Sequence, residues 1–226
     1  MGSGHPRIFD ISEELMKSSA SALALLLVVV LTGCSPVAEA SPSSSMAPTS
    51  TPSASAEAST PVELVPGSTL DRSAVTAAVP VGETISIVVP SAPGEEERLA
   101  LAAVQDEAAR HRATVQVHAD TDPVASVTTA LADRPDVIVA IGPALIGAID
   151  RASAANLDVS FLVLGTQLAE PTGNVIAVTW PGAEERAVFA DAPASFTGAA
   201  TYAGEALGVG LAAFASGLDG HVIALD

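Results

Sequence analysis

The sequence predicts an α/β fold, a doubly wound and mainly parallel β-sheet that follows a disordered N-terminal region. Short runs of β-branched and other apolar residues recur along residues 85–226, and helix-length segments alternate with them. Strands of a parallel sheet read as nearly continuous apolar runs because helices cover both faces. Right-handed crossovers then produce an open sheet that binds its ligands beyond the carboxyl ends of the strands.

The elements follow from these patterns in chain order. Ile85–Val89 is a β-branched run that Pro90 ends, and the helix after it begins with three acidic residues, as helix N-termini favour. The predicted strands are 85–89, 114–117, 136–141, 159–164, 175–179 and 221–225. The predicted helices are 95–112, 123–132, 144–155 and 202–216. Residues 183–197 fit either a helix with an acidic start or a hairpin.

The N-terminal region has the features of an export signal. Residues 20–31 form an apolar run of about a dozen residues, which is shorter than the roughly 20 that span a bilayer and fits a secretory signal. Leu31-Thr32-Gly33-Cys34 follows and resembles the lipobox of bacterial lipoproteins, in which the cysteine is acylated. The alternative is a chance cysteine, but the chain's single thiol lies where processing requires it. We therefore expect a signal peptide over 1–33, with translation starting at Met16, and lipidation of Cys34.

The segment after the cysteine is predicted to be a tether. Residues 34–62 consist almost entirely of Ser, Ala, Pro and Thr, a composition that cannot bury enough apolar surface to fold. A glycosylated stalk would have the same mechanical effect. Residues 63–84 are then a lead-in, and 85–226 form the folded lobe. These predictions place the protein at the cell membrane, held on its extracytoplasmic face by acyl chains in the lipid bilayer.

Composition excludes several functions. A net charge of −17 opposes binding to nucleic acid, and a single cysteine permits no internal disulfide. Lys17 is the only lysine, so the body of the protein has no lysine-bearing phosphate loop. No acid, base and nucleophile converge in the sequence, and the histidines lack metal-ligand spacing. We therefore expect a protein that is not an enzyme and that has neither a metal nor a cofactor.

Two further patterns favour structural roles. Asp120 and Asp122 form a carboxylate pair, although an N-cap for the helix at Pro123 is the commoner use of such residues. Gly208-Val-Gly210-Leu-Ala-Ala213 matches the letters of a dinucleotide fingerprint, but it lies inside a predicted helix rather than directly after a strand. We interpret its small residues as allowing close helix packing.

Candidate ligand contacts lie where the predicted strands end: Ser91, Gly142, Thr166, Gln167 and Trp180. Trp180 could stack on a ligand or simply cap the sheet against a helix. Gly142 permits close backbone approach, and a tight turn before Pro143 explains it equally well. Thr166 and Gln167 offer neutral hydrogen-bonding groups, or are ordinary loop residues.

Three glutamates, Glu95, Glu96 and Glu97, open the first predicted helix. A helix N-terminus is usually an anion site, but three carboxylates there would repel phosphate. A solvated acidic face that complements the helix dipole is the alternative explanation. Either way, the sequence favours a neutral or cationic small ligand over a phosphorylated one.

Several segments together resemble a known family. These are Arg134–Gly142, Phe161–Leu164, Asn174-Val175, Tyr202–Ala206 and Gly220–Ile223. Over residues 83–226 the chain is similar to the first lobe of lipid-anchored solute-binding proteins of ABC importers, which have the type I periplasmic-binding-protein fold. The nearest group is the basic membrane protein family, which is associated with nucleoside uptake.

The resemblance implies a component of an ABC importer that binds a nucleoside- or sugar-like molecule and meets a permease. The alternative is a non-enzymatic cell-envelope lipoprotein that uses a single lobe as an interaction module. An exposed apolar strip on the helix over 202–216 would favour that alternative.

Overall fold

A seven-stranded sheet, with every neighbouring pair of strands parallel, dominates the computed structural model, which describes residues 65–184 and 195–226. Four α-helices flank it in this part of the chain. The strands are β1 (Thr69–Asp71), β2 (Thr84–Val88), β3 (Thr114–His118), β4 (Val137–Ile141), β5 (Ser160–Leu164), β6 (Val175–Thr179) and β7 (Val222–Ala224). The helices are α1 (Glu95–Arg110), α2 (Pro123–Ala132), α3 (Ile146–Ala155) and α4 (Ala199–Ala215). The strand order is β1-β7-β6-β5-β4-β2-β3.

The predicted α/β fold class is confirmed, and the six predicted strands and four predicted helices all form with boundaries that differ by a few residues. The lead-in over 63–84 contributes a strand that the sequence did not predict. β1 pairs with β7, with Thr69 opposite Val222. The predicted signal peptide, Cys34 and the predicted tether lie outside the described residues, as do 185–194, the centre of the segment for which the sequence allowed a helix or a hairpin.

Alternation along the strands divides the core into two layers. In β4, Val137, Val139 and Ile141 face one layer, whereas Ile138 and Ala140 face the other. Helices α1 and α4 pack on the first layer, and helices α2 and α3 pack on the second. Both faces of the sheet are therefore covered, which explains why a strand such as β4 consists of apolar residues only.

One crossover departs from the expected handedness. The chain moves from β2 to β3 through α1, and it moves in the opposite direction along the sheet from β6 to β7 through α4. Because α1 and α4 lie on the same face, these two crossovers have opposite hands. The α2 and α3 crossovers share the hand of the α1 crossover. Nearly all such units are right-handed, so the expectation of right-handed crossovers throughout is wrong for the α4 unit.

Helix α4 is buried along most of its length. Residues 206–213 are all buried, because apolar residues occur on every side of the helix. A Cβ on Gly210 would collide with the Leu162 side chain of β5, and one on Gly204 would lie 3.2 Å from the carbonyl oxygen of Ala103 in α1. The close-packing interpretation of the small residues is thus confirmed. The exposed apolar strip that would favour an interaction module does not occur on α4.

None of the helices within residues 65–184 and 195–226 has the length and apolar character needed to cross a membrane.

Local interactions fix where helices begin. The Asp122 carboxylate accepts a hydrogen bond from the amide of Val124 at 2.9 Å, so the N-cap interpretation of this residue is confirmed. Asp120 in turn accepts a hydrogen bond from the amide of Asp122 at 3.0 Å.

Candidate functional site at the β2–β4 switch point

The strand order reverses between β2 and β4. After β2 the chain proceeds to β3 on one side, and it then returns to β4 on the other side of β2. In an open parallel sheet, the loops that follow two such strands diverge and leave a crevice beyond their carboxyl ends. By this rule the crevice is expected between the loop at 89–94 and the turn at Gly142. This is the place in the fold where a ligand site is expected.

Gly142 forms one wall of the crevice. Its backbone has a φ of +96° and a ψ of 147°, a conformation that side-chain-bearing residues rarely adopt. A Cβ at this position would lie 3.1 Å from Cγ of Glu97 in the first turn of α1. The absence of a side chain therefore serves both the turn into Pro143 and the close approach of Glu97.

The three glutamates at the start of α1 have different surroundings. The Glu96 side chain extends from α1 to α4, where its carboxylate accepts a hydrogen bond from the amide of Ala199 at 2.9 Å. This contact caps the N-terminus of α4. Glu97 lies beside both Gly142 and Gly94, the N-cap residue of α1. Glu95 is exposed.

Glu97 places a carboxylate at the switch point, where the Arg98 guanidinium also donates a hydrogen bond to the carbonyl oxygen of Pro93 at 2.8 Å. A carboxylate beside the first turn of α1 stands where a helix would otherwise attract an anion. A phosphate at this point would meet the Glu97 charge. The crevice is therefore suited to hydrogen-bond donors and to cations.

Ser91 and Gly142 belong to this crevice, since both follow the strands that form it. Ser91 is exposed in the loop after β2, where its hydroxyl is open to solvent. Sequence reasoning identified these two residues but treated the three glutamates as one group. The position of Glu97 in the sequence could have distinguished it, because this residue lies in the first turn of α1, directly after the loop that follows β2.

Thr166 and Gln167 follow β5, one strand further along the sheet than β4. Thr166 is fully buried. Gln167 is half-buried, and its side-chain amide donates a hydrogen bond to the carbonyl oxygen of Glu184 at 2.7 Å. This contact joins the loop after β5 to the segment after β6.

Trp180 lies beneath the segment that follows β6. Its ring is 0% exposed, and its indole N–H donates to the carbonyl oxygen of Thr197 at 2.7 Å. Tyr202 stacks on it with ring centroids 6.3 Å apart, and Phe196 packs at a tilt with centroids 5.8 Å apart. In this arrangement Trp180 caps the sheet, and no face of its ring is open to a ligand.

The five sequence-predicted contacts thus form two groups. Ser91 and Gly142 line the crevice with Glu97, whereas Thr166, Gln167 and Trp180 lie around the loops after β5 and β6. Among the described residues, no three His, Cys, Asp or Glu side chains come together in a way that could hold a metal ion.

A groove of about 560 Å³ lies between α1 and α4, away from the β2–β4 switch point. Its two arginines are engaged within the protein, Arg72 with Glu205 and Arg110 with Glu107. The Glu107 carboxylate also contacts His111. Burial raises the pKa of the Glu107 carboxyl, but the hydrogen bonds from Arg110 and His111 lower it by more, so this pKa lies below its usual value. These charges thus pair within the protein, and Asp106 and Thr201 complete the polar lining of the groove.

No protein-family model and no curated protein matches the sequence. Similarities occur among solved structures. An ABC transporter system solute-binding protein from Aeropyrum pernix K1 is 14% identical, with a TM-score of 0.38, over 46% of this chain and 29% of that chain. A second such protein, from Conexibacter woesei DSM 14684, is 18% identical, with a TM-score of 0.35, over 44% of this chain and 35% of that chain. The chain thus matches well under half the length of either structure.

Proposed function

We propose that this chain is a membrane-anchored binding protein of the cell envelope, and that its lobe holds a small neutral or cationic ligand at the β2–β4 switch point. The observation that carries the proposal is the reversal of strand order between β2 and β4, where the Glu97 carboxylate lies against Gly142. A ligand of nucleoside or sugar size offers hydroxyl or amine donors to such a carboxylate. Delivery of this ligand to an ABC permease is the role that fits such a protein.

The sequence of the N-terminal region supports the anchor. An apolar run too short to span a bilayer is followed at once by the lipobox-like Leu31–Cys34, and a Ser/Ala/Pro-rich tether comes next. The strongly acidic lobe gains nothing from anionic lipid, so acyl chains on Cys34 would supply the membrane affinity. The permease would then meet a lobe held close to the membrane surface.

Ligand binding is tested by calorimetry on the full, acylated chain in detergent, with a panel of nucleosides, neutral sugars and small amines beside nucleotides and sugar phosphates. We expect micromolar binding of an uncharged or cationic compound and none of its phosphorylated counterpart. Glu97→Gln should weaken binding about tenfold, the effect of losing one hydrogen bond to a charged group. Glu95→Gln is the matched control, because Glu95 belongs to the same helical turn but is exposed. No binding across the whole panel would refute the proposal.

Anchoring is tested separately by expressing the full chain in a bacterium with a lipoprotein-processing pathway. Labelled palmitate should be incorporated into the native chain and not into Cys34→Ser. We expect the variant to carry no label and to be less abundant in the membrane fraction, because it lacks the thiol that would carry the acyl chains. Equal membrane retention of both proteins, without label, would contradict the anchoring role of Cys34.

A further inference from the structure

A second cavity lies at the opposite edge of the sheet, beside the amino ends of β2, β4 and β5. Its volume is about 290 Å³, close to the lower limit of ordinary small-molecule pockets. Val137, Leu211 and Phe214 supply apolar walls, and Glu83 and Asp136 supply two carboxyl groups. The cavity therefore combines an apolar surface with acidic groups, at a place that the proposed ligand site does not use.

The two carboxyl groups interact with each other, and neither forms an ion pair with an Arg or His side chain of the described residues. Burial raises the pKa of Glu83, and the charge of Asp136 raises it further. In Asp136, hydrogen bonds from the Thr84 hydroxyl and from the Thr84 amide, the latter at 2.7 Å, lower the pKa. In the described ranges, the ion pairs of Arg and His side chains go to other carboxylates. Within the described part of the chain, no ion pair therefore neutralises the carboxylates at this cavity.

The helix that closes the cavity adds to this charge. Leu211 and Phe214 belong to the last turns of α4, whose 17 residues end at Ala215. The C-terminal end of a helix carries partial negative charge, which favours a cation nearby. The ring of Phe214 offers a further favourable surface to a cation. Carboxyls, helix end and aromatic ring all favour the same sign of ligand charge.

We infer that this cavity binds a small organic ammonium ion, with its nitrogen at Glu83 and Asp136 and its hydrocarbon part against Val137, Leu211 and Phe214. An ammonium group can donate hydrogen bonds to both carboxylates at once. It also supplies a positive charge that offsets theirs, which a water molecule cannot do. The apolar walls select an amine with a short hydrocarbon chain over ammonia itself. The limited volume restricts the ligand to a few carbon atoms.

The test uses n-butylammonium chloride as the probe and calorimetry on the full, acylated chain at neutral pH. We expect millimolar or tighter binding of n-butylammonium, and no binding of 1-butanol or butyrate, which match its hydrocarbon part. Glu83→Gln should weaken binding at least about tenfold, because it removes one charge-assisted hydrogen bond. A second variant, Ala215→Phe, narrows the cavity from an exposed position and should also abolish binding while both carboxyls remain.

Three results would overturn the inference: no binding of n-butylammonium, equal affinity for 1-butanol, or unchanged affinity in a folded Glu83→Gln protein. Circular dichroism and thermal unfolding of each variant establish that it is folded. Glu95→Gln, at an exposed residue that lines neither site, is the matched control and should leave n-butylammonium binding unchanged. Failure here would leave the proposed site at β2–β4 unaffected, because that site is tested with nucleosides and neutral sugars and through Glu97 rather than Glu83.

Discussion

Three glycines in one helix offer a sharp test of how α4 packs. Gly204, Gly208 and Gly210 all lie in the interior of α4, so replacing any of them by alanine gains about 0.5–1 kcal/mol of helix propensity. Their surroundings differ, and the surroundings should decide the sign of each change in the free energy of unfolding.

The expected magnitudes follow from what a new methyl group would meet. At Gly210 it would lie 2.6 Å from Cδ2 of the buried Leu162, closer than real side chains approach each other, so the core must be displaced. Overpacking of this kind costs about 1–3 kcal/mol, which exceeds the gain in propensity. At Gly208 it would lie 3.2 Å from a carboxylate oxygen of Glu107, at the far end of a flexible side chain. We therefore expect Gly210→Ala to be destabilised by about 1 kcal/mol, and Gly208→Ala to be stabilised by up to about 0.5 kcal/mol.

Gly204→Ala should fall between these two. Its methyl group would lie 3.2 Å from the carbonyl oxygen of Ala103, and backbone of a neighbouring helix yields less readily than a side chain. Urea unfolding followed by the fluorescence of Trp180, the only tryptophan, measures all three variants with one buried probe. A difference of 1 kcal/mol corresponds to about 2–4 °C in Tm for a domain of this size. A Gly210→Ala protein as stable as Gly208→Ala would show that α4 does not pack against β5 as described.

Further substitutions test other contacts. Asp122→Ala removes the N-cap of α2 and should lower the free energy of unfolding by about 1 kcal/mol, measured in urea. Asn174 is buried, and its side-chain amide donates to three carbonyl oxygens, including that of Val159 at 2.8 Å. Asn174→Ala should therefore lower the free energy of unfolding by about 2–3 kcal/mol. An unchanged Tm would contradict a stabilising role for these hydrogen bonds. Because the pKa of Glu83 is raised on folding, its contribution to stability is present below the ordinary glutamate pKa and is lost as the pH rises through the raised value. Glu83→Gln should therefore raise Tm at pH 7 and have little effect at pH 3, and the same Tm difference at both pH values would be inconsistent with an ionised, desolvated carboxylate.

Much of the fold was predictable because the central strands are buried on both faces. Residues 137–141 are all buried, and a run of five apolar residues between turn signals leaves few alternatives. β1 was not predictable, because its three residues, Thr69–Asp71, carry no pattern and join the sheet only through pairing with β7. The hand of the α4 crossover could not be read from the sequence either, because the general preference for right-handed units predicts the opposite hand.

The candidate site was predictable in outline only. The rule on strand ends located Ser91 and Gly142, and it also selected Trp180, whose surroundings no sequence pattern describes. Whether a strand-end aromatic faces a ligand or the core depends on the segment above it, here the residues around Thr197. Likewise, three consecutive glutamates look alike in sequence, although only Glu96 reaches the amide of Ala199.

The pairing of β1 with β7 has a consequence for the order of assembly. The partners Thr69 and Val222 are roughly 150 residues apart in the chain, among the longest separations this sheet requires, and such distant pairings form late. Because the polypeptide is synthesised from its N-terminus, residues 69–71 are made before the rest of the sheet, and their backbone groups can pair only with water until residues 222–224 are available. The first strand to be synthesised is thus among the last to find its partner, and the pairing of β7 with β1 completes the sheet.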